Sequence, residues 1–160
     1  MTIAALRQAQ SLGHLGLLPF FALAALTWLP QEAATARIEF ARLAQFSLAA
    51  YSAVILAFLG AVHWGFALSS PDMPASLARQ SLIWGVVPSL LGWLAVVLMI
   101  LGVTAWLVFA ILIADLLLVR FADGALLARR AGHADAYLRL RTRLTAGAVL
   151  ALVIATAASL

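Results

Sequence analysis

Two side chains in this sequence carry proton or metal chemistry where no such chemistry is expected, inside apolar runs. Asp115 interrupts TAWLVFAILIADLLLVRF, residues 104–121. A carboxylate at that depth in a bilayer costs about 3 kcal/mol or more unless something pairs with it. His63 lies in FLGAVHWG, residues 58–65. Histidine changes charge near neutral pH and binds metals, haem and protons through its ring nitrogens. A third titratable group, His14, stands at the start of another apolar run.

Each of these residues supports two readings. Asp115 is a proton relay or ion ligand, or it is a packing residue that accepts a hydrogen bond from Tyr51, a Trp N–H or a serine. The packing role carries more weight. His63 shares a helix face with Tyr51, Ile55 and Leu59 at spacings of four. It is a ligand for haem, quinone or metal, or a histidine that bonds a neighbouring helix, and again the structural role weighs more. His14 and His63 on separate helices could clamp a haem, but a histidine near a helix end more often sits at the interface. No Glu-x-x-His or His-x-x-x-His spacing offers a metal centre. No nucleophile motif or phosphate loop is present either, so the expected cofactor set is empty, with haem or quinone as the exceptions, and no catalysis is expected.

These groups must be held by helices that span a membrane. The 160 residues are 66% hydrophobic and 10% charged, with a mean hydropathy of +1.09. A soluble domain would need a more polar surface. The reading is a single membrane domain, residues 1–160: an all-α integral membrane protein, a bundle of five transmembrane helices. The spans fall at about 12–29, 43–68, 82–101, 104–121 and 144–160, each near the ~20 residues that cross a bilayer. Gly102-Val103 is a tight turn between the third and fourth. Pro19 and Pro88 fall inside spans and tend to kink them. The first apolar segment does not read as a cleavable signal. Small residues recur at four-residue spacing, Ala53, Ala57 and Ala61 in one run and Ser81, Gly85 and Ser89 in another; such residues let helices approach. The absence of an internal repeat argues mildly against an inverted-repeat transporter.

All ten basic residues are arginine, and there is no cysteine. Arg7, Arg79, Arg120, Arg129, Arg130, Arg139, Arg141 and Arg143 fall on one side of the threading, Arg37 and Arg42 on the other. Positive charge marks the cytoplasmic side. The N-terminus is therefore expected in the cytoplasm and the C-terminus outside, in a bacterial inner membrane. The loop 122–143 is expected to be basic and cytoplasmic, with the fourth helix running on into it before a turn near Gly132. Its Arg129, Arg130, Tyr137, Arg139 and Arg141 are candidates to face anionic lipids or a protein partner. Arginine placed by topology explains the pI of about 11.1, and a nucleic-acid role is set aside.

The stretch from Tyr51 to Gly65, with its YxxxxLxFLGxxHWG pattern, resembles a family of membrane proteins designated domain-of-unknown-function family 3429. Supporting pieces are Gly16-Leu-Leu-Pro19-Phe20, Val87-Pro88-Ser89-Leu-Leu-Gly-Trp93 and Tyr137-Leu-Arg139-Leu-Arg141. The resemblance covers nearly the whole chain. Ala136 departs from it, standing where the family is expected to carry Trp. The resemblance implies about five helices and an inner-membrane location, and brings no biochemical activity. Together with the polar residues it marks a candidate ligand site of His63, Trp64, Tyr51, Pro88, Trp93, Asp115 and His14. The leading expectation is an accessory, assembly or scaffolding component of a larger membrane complex, or a self-associating protein. The alternatives are a binder of haem, quinone or another hydrophobic molecule through His63 and the tryptophans, and a small transporter or proton relay using Asp115 and His63.

Overall fold

The computed structural model describes residues 3–29, 35–127 and 134–160. All regular structure in them is helical: α1 (Ile3–Leu15), α2 (Leu18–Leu26), α3 (Thr35–Leu68), α4 (Ala75–Ile100), α5 (Ala105–Leu127) and α6 (Ala134–Ala157). Five segments are long and apolar enough to cross a membrane: 7–26, 39–68, 75–100, 105–126 and 136–157. The helices close into a ring in which α3 packs on α4 and α2, α6 packs on α2 and α5, and α5 returns to α4; α3 also reaches α5 across the middle.

The first span is two helices because of Pro19. Proline has no N–H, so Leu15 loses its partner four residues on. The chain turns through Gly16-Leu17 and restarts with Pro19 in the first turn of α2. At this break the Gly16 carbonyl accepts a hydrogen bond from the Tyr51 hydroxyl at 2.9 Å. Phe20 meets the Tyr51 ring edge-on, with centroids 5.1 Å apart. Pro88 causes no comparable break; α4 runs through it.

The α4–α5 turn is closed by Gly102 at φ 87°. Its N–H bonds to Met99 O and that of Val103 to Leu98 O, the two bonds that finish a helix whose next residue is left-handed.

α3 and α4 make the tightest contact. A Cβ built on Gly60 would overlap the Gly85 backbone, and one on Gly85 would lie 2.8 Å from Gly60 O. The inward face of α4 is Ser81, Gly85, Pro88, Gly92 and Ala95, small residues at helical spacing that let the backbones approach.

The helices are longer than the apolar runs. α5 continues six residues past Phe121, and α6 begins ten residues before Leu144. Hence most of the expected loop 122–143 is helix, and only 128–133 lies between the two described helices. The Ala, Leu and Arg residues that dominate there are good helix formers, and a helix satisfies its own backbone across the bilayer edge.

Candidate functional site

The buried polar centre joins three helices that are far apart in sequence. His63 comes from α3, Asp123 from α5 and Arg141 from α6. His63 Nε2 lies 2.9 Å from Asp123 Oδ1. Arg141 donates to Asp123 Oδ2 from Nε at 2.8 Å and from Nη2 at 2.5 Å. All three are buried: His63 0%, Asp123 1% and Arg141 5% exposed. A carboxylate only accepts, so the His63 ring proton must sit on Nε2 for that bond to form. Its Nδ1 is buried without a partner among the described residues. Counting back along the helices, His63 and Asp123 lie about 6–8 Å from the ends of α3 and α5, and Arg141 about 10 Å into α6. Asp123 thus pairs with Arg141, the one buried arginine among the described residues, as a charge removed from water requires.

Asp123 is the residue that sequence reasoning missed. It lies past Phe121, the last apolar residue of its run, where the sequence predicts the fourth helix running on into a cytoplasmic loop rather than a buried position. The available signal was charge: an acid close to Arg120 in sequence and on the same side of the threading as His63, Arg139, Arg141 and Arg143.

Beside this centre runs an apolar cleft of about 420 Å³ between α1/α2, α3 and α6. That volume falls within the range of small-molecule sites. Its walls include Leu12, Leu17, Phe58, Leu59 and Leu144, and Tyr137 and Arg141 give it polar groups at one end.

A model of the family described as protein of unknown function (DUF3429) matches residues 5–157. The chain belongs to that family. Transmembrane protein 69 of Xenopus tropicalis is similar over 50 residues at 48% identity, which is 31% of this chain and 19% of that protein. The chain thus covers about a fifth of that relative's length. No solved structure matches.

In this DUF3429 protein the residues that carry the resemblance tie helices together. Trp64 Nε1 donates to Leu82 O at 3.0 Å, fastening α3 to α4, and Tyr51 fastens α3 to the break in the first span. Pro88 is buried on the inward face of α4. Trp93, expected to line the site, is 62% exposed on the outer surface; the inward face is already taken by Gly92, and the next residue lies 100° around the helix. His14 is exposed, with its Nδ1 2.6 Å from Gln10 O.

Asp115 is 4% exposed in the bundle interior. Neither oxygen has a partner among the described residues. The donors expected for it are used elsewhere: Tyr51 bonds Gly16 O, and Ser52 bonds Leu48 O. Trp84 Nε1 is likewise buried and unpartnered. Of the expected lipid- or partner-facing residues, Arg139 is exposed, Tyr137 is half-buried and Arg141 turns inward. Arg129 and Arg130, and the turn near Gly132, lie outside the described residues. Arg120 Nε donates to Thr142 Oγ1 at 2.8 Å, a second α5–α6 link at the same end. Among the described residues no cluster of three metal-ligating side chains occurs.

Proposed function

We propose that the protein is a non-enzymatic accessory or assembly component of a larger complex in a bacterial inner membrane, and that it holds a hydrophobic chain molecule in its cleft. The N-terminus is assigned to the cytoplasm and the C-terminus to the outside. The arginine distribution supports that direction: Arg79, Arg120, Arg139, Arg141 and Arg143 fall near the end of the bundle that carries the 69–74 turn, and Arg42 near the other.

One observation carries the ligand reading. The 420 Å³ cleft is lined by aliphatic and aromatic side chains along its length and has Tyr137 and Arg141 at one end. That is the outline of an amphiphile, with an apolar body and a few polar groups to fix its head. The His63–Asp123–Arg141 centre supports the reading by holding Arg141 in place.

The test is native mass spectrometry of the protein purified in mild detergent, with an optical spectrum of the same sample. The expected result is a retained hydrophobic molecule, lost in Leu144→Trp, which fills the cleft, and kept in Leu150→Trp, whose side chain is exposed on the same helix. A folded protein that retains nothing, even when lipid extract is added back, overturns it.

The two unpartnered oxygens of Asp115 favour a second reading, a proton or ion relay. Liposome flux abolished by Asp115→Asn supports it; unchanged flux removes it. A haem held by His14 and His63 finds little support, because neither histidine lines the cleft.

A further inference from the structure

Resting on the cleft reading above, we propose that the occupant is an amphiphile whose head is uncharged and carries a hydrogen-bond acceptor such as a carbonyl.

The shape gives the apolar body. The α6 residues lining the cleft run from Tyr137 to Ala148, about 16 Å along the helix axis, and most of the side chains along that length are aliphatic or aromatic. A hydrocarbon tail lies along such a slot.

The polar end gives the head. Arg141 has N–H donors and no acceptor. Two of its nitrogens bond Asp123 Oδ2, so its charge is already cancelled while further N–H groups remain. A donor without spare charge selects a neutral acceptor. An anionic head at this place would sit about 10 Å inside α6, stripped of water and without a free counter-charge, which is costly. The arginines with exposed side chains at this end, Arg7, Arg79, Arg139 and Arg143, do not line the cleft; they meet anionic phospholipid at the surface instead. Two kinds of membrane molecule share the required chemistry: prenylquinones and monoacylglycerols.

The experiment is competition for the delipidated full-length protein in detergent, read by native mass spectrometry. The probes are a short-chain ubiquinone, monoolein and 1-oleoyl lysophosphatidic acid. The last two share a chain and a glycerol and differ in the phosphate. Monoolein or the quinone is expected to be retained at least about tenfold over the lysophosphatidic acid, and whichever is retained names the source. Asp123→Asn uncovers the charge of Arg141 and is expected to reverse the preference. If that variant does not fold, the wild-type competition alone decides. Equal or stronger retention of the lysophosphatidic acid by the wild type overturns the uncharged head but leaves the cleft reading standing. Retention of no probe, or retention unaffected by Leu144→Trp, overturns the cleft reading itself and this inference with it.

Discussion

Replacing Asp123 by alanine tests whether the buried centre is one coupled unit. The change removes the acceptor for three N–H groups, one from His63 and two from Arg141. It leaves a guanidinium that is 5% exposed without a counter-charge. Breaking a buried pair from one side costs about 3–5 kcal/mol. Single interhelical hydrogen bonds in membranes are worth less, about 0.6 kcal/mol on average. The charge left behind, not the bonds lost, therefore dominates. His63→Leu, which removes one bond and no charge partner of Arg141, is expected to cost about 1 kcal/mol. Asp123→Leu alone strands the guanidinium and Arg141→Met alone strands the carboxylate, each at an expected cost of about 3–5 kcal/mol, whereas the double variant removes both charges and is expected to cost about 1 kcal/mol or less. The cycle then gives a coupling of at least about 5 kcal/mol. Equilibrium unfolding in mixed micelles of rising SDS fraction, followed by tryptophan fluorescence, measures the wild type, these two single variants and their double, together with Asp123→Ala and His63→Leu. If the two single losses simply add in the double variant, or if Asp123→Ala costs no more than His63→Leu, the coupled-charge argument is refuted.

The same unfolding assay checks three further expectations. Gly60→Ala places a methyl against the Gly85 backbone and should cost about 1–3 kcal/mol, whereas Gly65→Ala meets nothing within 4 Å and should be neutral or gain up to about 1 kcal/mol from helix propensity; equal effects would remove the close α3–α4 approach. Tyr51→Phe deletes the hydroxyl that satisfies Gly16 O, so a loss of about 1 kcal/mol should come with faster amide exchange around residues 15–18; unchanged exchange there counts against the strap. Asp115→Leu replaces a buried carboxyl that lacks any partner among the described residues and should stabilise the protein by about 1–3 kcal/mol; a loss of that size would mean the carboxyl has a partner after all.

Much of the architecture was readable because a bilayer imposes one rule, that a spanning segment is apolar and satisfies its own backbone. Five spans, the Gly102 turn and the interruption at Pro19 follow from it. Helix ends do not, since the rule says nothing about where a helix stops once it leaves the hydrocarbon. Nor does it say how deeply such an extension of a helix is covered, and the burial of Asp123 turns on that. The apolar run stops at Phe121, yet α5 carries Asp123 under the cover of α3 and α6. Trp93 failed for a different reason. Aromatic content suggested an inward position, while the spacing of Gly85, Pro88, Gly92 and Ala95 had already fixed which face of α4 turns in. Small residues decide that face because without a hydrophobic drive between helices, close backbone packing is what holds them. The small-residue spacing in α3 was less telling: Ala53 lies against Gly92, but Ala57 and Ala61 are exposed.

The two polar centres of this bundle follow opposite logics. The His63–Asp123–Arg141 centre is nearly saturated: its acid has partners on both oxygens, and among the described residues its one fully buried atom without a partner is His63 Nδ1. Asp115 stands about 12 Å away along α5 with both oxygens open. Between them α5 presents Leu116 and Val119, buried at 2% and 0%, and α3 adds Leu56 and Leu59. A proton does not cross such an apolar gap without a chain of polar groups or water, so the two centres do not form a wire as they stand. Leu116 and Leu59 also line the cleft. The same side chains that separate the acids thus form the wall against which a bound chain would lie, and this favours an occupied cleft over a conducting path as the use of the bundle interior.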